Sequence, residues 1–113
     1  MIDNRVSGYR HAMIVQTFGT SDGTIRLSVS GEIDLATVDD LEAALAGALA
    51  VDGTPRVVVD FAEVGFCDSN GIAALDRAYH EASLRGVTLR VVRLQRGVRR
   101  LLEITGLDHL TAG

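Results

Sequence analysis

The stretch GFCDSNGIAAL, residues 65–75, carries an apolar strand pattern into an apolar helix pattern. Its centre, Asp68-Ser69-Asn70-Gly71, puts an acid, a hydroxyl and a glycine at the junction. Asp, Ser and Asn cap helices because their side-chain oxygens accept hydrogen bonds from the unpaired N–H groups of the first turn. The junction predicts a helix that begins near Asn70 with Ser69 as its N-cap, Asn70 being a second candidate for the cap. It also marks Ser69 as a candidate functional residue.

Several segments have the apolar pattern of β-strands. The first two are joined by turn residues 19–23, which end in Asp22-Gly23 and so predict a hairpin. The run RVVVDF is continuously apolar and predicts a buried central strand. The predicted strands cover residues 12–18, 24–30, 56–61 and 87–94, and residues 107–113 leave room for a final short strand.

Apolar residues at helical spacing predict three helices after the hairpin. The first follows Thr37, its predicted N-cap, with Asp40 in the capping-box position. The second follows Ser69 and ends at Gly86, because glycine is favoured just past the end of a helix. The third lies within residues 96–106 and is closed by Gly106.

The resulting order is β-β-α-β-α-β-α-(β). Crossovers through a helix are right-handed and make the two joined strands parallel. We therefore predict an α/β (α+β-like) fold with a mixed four- to five-stranded sheet and helices mainly on one face. The domain covers residues 12–113 and follows a loose N-terminal leader at residues 1–11. Functional groups gather where strands of such sheets pass into helices, which is the position of Ser69.

Composition excludes several classes of function. The net charge of −4 argues against direct nucleic-acid binding, which needs a basic face. All 11 basic residues are arginine, so the chain has no lysine for Schiff-base or P-loop chemistry. One cysteine, and three histidines without ligand spacing, predict neither a disulfide nor a metal site. Without a membrane-length apolar run or a secretory signal, the expectation is a cytoplasmic protein with no cofactor and no membrane contact.

Two separated motifs resemble those of the STAS domain family, and more closely those of bacterial anti-sigma factor antagonists. The first is Gly31-Glu32-Ile33-Asp34, and the second is Asp68-Ser69-Asn70-Gly71 after a strand that contains Asp60. The late turn ITGLD, residues 104–108, also resembles the family, so the likeness covers about residues 12–110. Asn70 replaces the usual second hydroxyl residue, and the family's usual last helix has no counterpart before Gly113.

The resemblance implies a regulatory role without catalysis. In this family the unmodified protein binds an anti-sigma factor and so frees a sigma factor. The anti-sigma factor is usually also a serine kinase, which phosphorylates the antagonist and thereby ends the binding, and a phosphatase resets the cycle. The modified residue of the family is the hydroxyl residue directly after the motif aspartate, which corresponds to Ser69 here.

The resemblance also suggests which residues contact the partner or kinase: Asp34, Asp68, Asn70, Gly71 and Ile72. Two of these have a structural alternative. Asp34 either helps to orient the seryl hydroxyl or bonds to backbone N–H groups of its own turn. Gly71 either lets a partner approach or relieves crowding within the fold. An apolar docking patch is expected around the motif, with Phe66, Ile72 and Ala73 at its rim.

Other residues and rival functions remain open at this point. Asp60 is expected to accept local backbone hydrogen bonds. Arg93, Arg96, Arg99 and Arg100 form a basic cluster that is either a solvated face or a contact for an acidic surface or a phosphate. A serine-nucleophile enzyme lacks support because there is no G-x-S-x-G motif. The alternative within the family is a scaffold or a nucleotide- or ligand-binding accessory module without a kinase switch.

Overall fold

A computed structural model describes residues 13–111, in which four strands and three α-helices follow the predicted order. The predicted leader at residues 1–11 lies outside the described residues. The elements are β1 (Met13–Gly19), β2 (Ile25–Ile33), α1 (Val38–Leu49), β3 (Arg56–Cys67), α2 (Ser69–Leu84), β4 (Thr88–Val92), α3 (Arg96–Ile104) and a 3₁₀ helix (Asp108–Thr111).

The four strands form one mixed sheet in the order β1-β2-β3-β4, which confirms the predicted fold class. Strands β1 and β2 form the antiparallel hairpin, and Gly23 supplies the left-handed conformation of its turn with φ of 89°. Strands β2, β3 and β4 run parallel to one another. Strand β3 continues six residues beyond the predicted end at Phe61, because the second half of β2 pairs alongside it up to Ile33 and Cys67.

One face of the sheet carries the core. Strand residues that point to this face are fully buried, and residues of all three helices join them in a single cluster. On the opposite face, Arg26, Ser28 and Arg90 are only partly buried. The helices therefore pack on one face, as the sequence predicted. The buried strand residues are Leu27, Val29, Val57, Val59, Phe61, Leu89 and Val91.

The predicted final strand is wrong for the described part of residues 107–113. The chain forms a 3₁₀ helix at Asp108–Thr111, and Leu110 is fully buried in the core. Two local hydrogen bonds explain the difference: Leu107 N–H donates to the carbonyl of Leu102 at 2.8 Å, and Leu110 N–H donates to that of Leu107 at 3.0 Å. These turns satisfy the backbone locally, so no partner strand is needed.

Candidate functional site

Two loops meet where β2 and β3 end. The parallel pairing brings Ile33 beside Cys67, and the backbone N–H of the next residue, Asp68, donates to the carbonyl oxygen of Ile33 at 3.0 Å. The turn that begins at Asp34 therefore lies beside the start of α2. Such a neighbourhood is expected where two parallel strands end at the same edge of a sheet.

The N-cap of α2 is Asp68, so the prediction that Ser69 caps this helix is wrong by one residue. The Asp68 carboxylate accepts hydrogen bonds from the backbone N–H of Asn70 at 2.9 Å and of Gly71 at 3.3 Å. Its second oxygen accepts from the Asn70 side-chain amide at 3.3 Å. Both backbone bonds reach the same oxygen, Oδ1, and Asp and Ser cap equally well. Asp68 is the cap because β3 ends at the residue before it, Cys67.

Ser69 is consequently the first residue of α2 and is exposed. Its hydroxyl has no hydrogen-bond partner among residues 13–111. The side chain is therefore not needed to hold the helix start, and an approaching enzyme can reach its oxygen. Ser69 therefore offers the accessible hydroxyl that a phosphoryl transfer requires.

The hydrogen bonds of Asp68 change what a phosphate on Ser69 would meet. Ile72 N–H donates to the Asp68 carbonyl at 3.1 Å, and the N–H groups of Asn70 and Gly71 are taken by the Asp68 carboxylate. A phosphate on Ser69 would therefore find few unpaired N–H donors in the first turn of α2. The helix dipole still favours an anion at this end, but the charge would project outwards beside the carboxylate of Asp68.

Asp34 stabilises its own turn. Its carboxylate accepts from Ala36 N–H at 2.9 Å. The buried hydroxyl of Thr37 accepts from Asp34 N–H at 3.0 Å and donates to the carbonyl of Glu32 at 2.9 Å. Because the Thr37 hydroxyl is engaged in the loop, it does not cap α1, and the predicted capping box with Asp40 does not form. The geometry favours the turn-stabilising interpretation of Asp34.

Gly71 is required by packing. A Cβ atom at this position would lie 2.5 Å from the Cys67 sulfur and 2.6 Å from Cγ2 of Ile33, which no side chain tolerates without movement. Glycine therefore lets α2 sit against the ends of β2 and β3. Ile72 is 4% exposed and belongs to the core, so its burial argues against the contact role suggested from the sequence. That assignment stays a prediction.

Three exposed apolar residues, which we call the apolar rim, lie on the segments that meet at Ser69: the loop after β2, the end of β3 and the first turns of α2. They are Leu35, Phe66 and Ala73. Phe66 and Ala73 were predicted from the sequence, whereas Leu35, at 75% exposed, was missed. The available signal was an apolar residue in the loop between β2 and α1, ahead of the periodic residues of the helix. Exposed apolar side chains beside an exposed hydroxyl favour contact with another protein.

Cys67 lies beneath this site and is inert. Burial, and secondarily the carboxylate of Asp68, raise the pKa of the Cys67 thiol to about 12. A thiol with this pKa stays protonated at neutral pH, and thiolate is the reactive form. This agrees with the prediction that Cys67 is a small buried core residue.

Asp60 lies on the face of the sheet opposite the helices and binds two arginines there. Its carboxylate is bonded by Arg26 at 2.6 Å, by Arg93 Nε at 3.2 Å and by the backbone N–H of Ala62 at 2.9 Å. Burial alone would raise the pKa of Asp60, but the bonds from Arg93, Ala62 and Arg26 outweigh it and lower the pKa to about 2. The structural role predicted for Asp60 is thus extended from backbone bonds to two ion pairs.

The site around Ser69 is a projecting helix start rather than a cavity. A groove of about 240 Å³ lies between α1 and α2, and another of about 330 Å³ lies beside β4, but Ser69 lines neither of them. Within residues 13–111 no three metal-ligating side chains cluster, and no helix is long and apolar enough to cross a bilayer. A small α/β domain with an exposed hydroxyl next to an apolar rim belongs to the class of protein-interaction modules.

Comparison with known proteins identifies the family. The family profile described as "Mlab, STAS domain" matches residues 17–112. The anti-sigma-B factor antagonist of Staphylococcus epidermidis is 31% identical over 80% of this chain and 83% of its own length. The chain therefore belongs to the STAS domain family.

Solved structures agree with this assignment. An anti-sigma factor antagonist from Mycobacterium paratuberculosis superposes with a TM-score of 0.80 at 31% identity, covering 90% of this chain and 85% of the other. SpoIIAA in its unphosphorylated form gives a TM-score of 0.76 at 18% identity, covering 87% and 85% of the two chains. The likeness to SpoIIAA concerns the fold alone.

Proposed function

We propose that this protein is an anti-sigma factor antagonist controlled by phosphorylation of Ser69. The unmodified form binds an anti-sigma factor in the cytoplasm and thereby frees a sigma factor, and the protein has no catalytic activity of its own. The observation that supports the proposal is the exposed Ser69 hydroxyl, without a hydrogen-bond partner in residues 13–111, at the start of α2 next to the apolar rim. Family membership, with relatives named as antagonists, supports the same function.

Docking of the unmodified protein rests on the apolar rim. Leu35 and Phe66 are 75% and 49% exposed, so a partner that covers them removes substantial apolar surface from water. Binding energy in protein interfaces concentrates in a few such residues near the centre of the contact. Ser69 is small and uncharged and can be covered without an electrostatic cost.

Phosphorylation acts through charge. The kinase transfers the γ-phosphoryl group of ATP to the Ser69 oxygen, the hydroxyl proton is released and ADP leaves. The phosphate adds about −1.5 to −2 charges at neutral pH. Asp68 already occupies the neighbouring N–H donors, so the phosphate has to be desolvated by the partner with little compensation. The complex is weakened while the fold is kept.

The first experiment incubates the purified protein with anti-sigma kinases of the same genome, ATP and Mg²⁺, and follows intact mass with site mapping. A single phosphate on Ser69 is expected, and S69A should stay unmodified. S83A is the matched control, because Ser83 is also an exposed serine on α2 and its removal should leave phosphorylation unchanged. No phosphate with kinases that are active on another substrate would reject the kinase switch.

A binding assay separates the two states. S69A should bind the anti-sigma factor like the unmodified protein and resist release by ATP, whereas S69D should bind at least tenfold more weakly. Equal binding of both variants would remove Ser69 from the switch. In that case large particles in sizing experiments would indicate a scaffold, and saturable nucleotide binding without a kinase would indicate a ligand-binding module.

A further inference from the structure

We infer that α3 carries a second contact for the same partner, formed by a basic stripe that meets an acidic surface of the anti-sigma factor. The basic stripe is Arg96, Arg99 and Arg100, all exposed. The inference rests on the proposed function, because it names a surface of the partner that this function requires.

The basic stripe lacks carboxylate partners within the described chain. No acidic side chain of residues 13–111 lies within 4.0 Å of the three guanidinium groups. Among the other arginines of residues 13–111, five form ion pairs with carboxylates, and half-buried Arg90 alone resembles the stripe in having none. The paired arginines are Arg26, Arg56, Arg77, Arg85 and Arg93.

The spacing of the stripe works against the stability of its own helix. Arg96, Arg99 and Arg100 stand at i, i+3 and i+4, so the three like charges share one face and repel. Arg96 is also the first residue of α3, where the helix dipole disfavours a cation. Glu103, at i+4 from Arg99, is the one acid on α3 and does not come within ion-pair distance of Arg99 or Arg100. The stability of α3 therefore gives little reason for three arginines here, and residues that break local rules are expected at functional surfaces.

An exposed apolar residue continues the stripe. Ile104 follows Arg100 at i+4 and is 71% exposed at the end of α3. An apolar side chain beside guanidinium groups is the composition of a protein-binding surface, in which arginine is enriched. It is less suited to a purely solvated face.

The stripe is held rigidly. Val98 and Leu102, on the opposite side of α3, are 4% and 0% exposed in the core. The side-chain amide of Gln95 donates to the carbonyl of Ala62 at 2.9 Å and fixes the start of the helix on β3. Arg93, bound to Asp60, holds a left-handed conformation with φ of 58° at the turn into α3. A fixed surface loses little conformational entropy on binding.

The stripe lies at the same edge of the sheet as the switch. Helix α2 begins after the carboxyl end of β3 and α3 begins after the carboxyl end of the parallel strand β4. β3 extends seven residues past Asp60, the last residue paired with β4, which is roughly 23 Å of extended chain. An interface of standard size, about 800 Å² per partner and thus roughly 30 Å across, is wide enough for this extension of β3.

The charges of this chain indicate what kind of partner surface would bind the basic stripe. The chain is acidic overall, at −4, and the switch itself contains Asp34 and Asp68, so a uniformly acidic partner would be repelled there. A partner surface that is acidic opposite α3 and apolar opposite Ser69 is complementary to the basic stripe and to the apolar rim. Charges at the rim of an interface act mainly on the association rate. The stripe should steer the partner, whereas the state of Ser69 should set how long it stays.

The test compares association kinetics of purified anti-sigma factor with the full chain and with R99E/R100E. The association rate should fall at least tenfold at low salt, and the fall should shrink strongly at 0.5 M salt, with the dissociation rate nearly unchanged. R56E is the control for charge reversal away from the stripe, because Arg56 is also exposed but starts β3 at the opposite edge, where it pairs with Asp22; it should associate normally. A second variant, I104S, should raise the dissociation rate at least threefold.

The variants should fold, because the substituted side chains are exposed and the attraction gained towards Arg96 offsets the repulsion gained towards Glu103; circular dichroism and a thermal melt check this. Normal association of R99E/R100E, while S69D binds at least tenfold more weakly than the wild type, overturns the inference and leaves the proposed function standing. No binding of the wild type to any active anti-sigma factor overturns both. Self-association, or binding to duplex DNA, that R99E/R100E abolishes without changing partner association also overturns it.

Discussion

The backbone N–H of Asp68 donates to the carbonyl oxygen of Ile33 at 3.0 Å. This bond continues the pairing of β2 with β3 one step beyond the last strand residues. The Asp68 side chain meanwhile caps α2 through the N–H groups of Asn70 and Gly71. One residue thus fixes the turn after β2, the end of β3 and the start of α2, and the exposed Ser69 follows it directly.

The first prediction concerns this cap. D68A should lower the free energy of unfolding by about 1–2 kcal/mol, because two first-turn N–H groups lose their acceptor. D68N keeps an acceptor oxygen and should lose less than half as much. Urea denaturation followed by circular dichroism measures both. Equal losses in the two variants would show that the charge, and not the cap, is what stabilises this junction.

The second prediction concerns Gly71. G71A should destabilise the fold by about 1–3 kcal/mol, because the added Cβ would overlap the Cys67 sulfur and Ile33. G97A is the matched control in α3, where an added Cβ meets nothing within 4 Å; alanine there should stabilise by about 0.5–1 kcal/mol. Chemical denaturation of both variants gives the comparison. A G71A protein as stable as the wild type would restore the partner-access explanation of this glycine.

Much of the fold follows from local patterns. The alternation in β2 and the helical spacing around Leu41 and Leu75 specify elements whose buried faces agree with the structure. The parallel order follows from crossover chirality. The end of β3 does not follow in this way, because β3 continues only where β2 pairs beside it, and that pairing joins residues far apart in sequence.

The candidate site likewise has features that follow from local residue types and features that depend on contacts between distant residues. Ser69 was found from residue types and the turn at Asp34 from the family resemblance, but the cap was misplaced because Asp68, Ser69 and Asn70 are all good capping residues. The choice among them is set by where β3 ends, which is a non-local event. Leu35 was missed because no periodicity marks a loop residue, and its exposure is visible only once the loop is folded.

The third prediction concerns pH. The pKa of Asp60 in the folded protein is about 2, below its ordinary 3.8. The unfolded state therefore binds this proton first as the pH falls, so the stabilisation by Asp60 is present above about pH 4 and is lost between pH 4 and pH 2. D60N should remove about 2 kcal/mol at neutral pH, and its stability should change less with pH over that window.

Denaturation midpoints of wild type and D60N from pH 2 to pH 7 check this prediction. N–H donation by Ala62 to the side chain survives in D60N, since an amide oxygen is still an acceptor. The variant therefore isolates the two ion pairs with Arg26 and Arg93. Parallel pH curves for the two proteins would mean that solvent screening of the exposed arginines leaves these pairs without net effect.

The fourth prediction uses Cys67, the only cysteine of the chain, as a probe of the switch region. Burial and the Asp68 carboxylate raise the pKa of its thiol to about 12, so the native protein at pH 8 should react with iodoacetamide at least a hundredfold more slowly than the urea-unfolded protein. Reaction then requires local opening of the start of α2, and its rate follows the population of the open form. D68A should react about tenfold faster than the wild type, because loss of the cap lowers the free energy of local opening by about 1.4 kcal/mol.

The control is R56E, which is altered at the far edge of the sheet and should react at the wild-type rate. Native labelling as fast as in urea would contradict the buried, protonated thiol on which the packing of Gly71 depends.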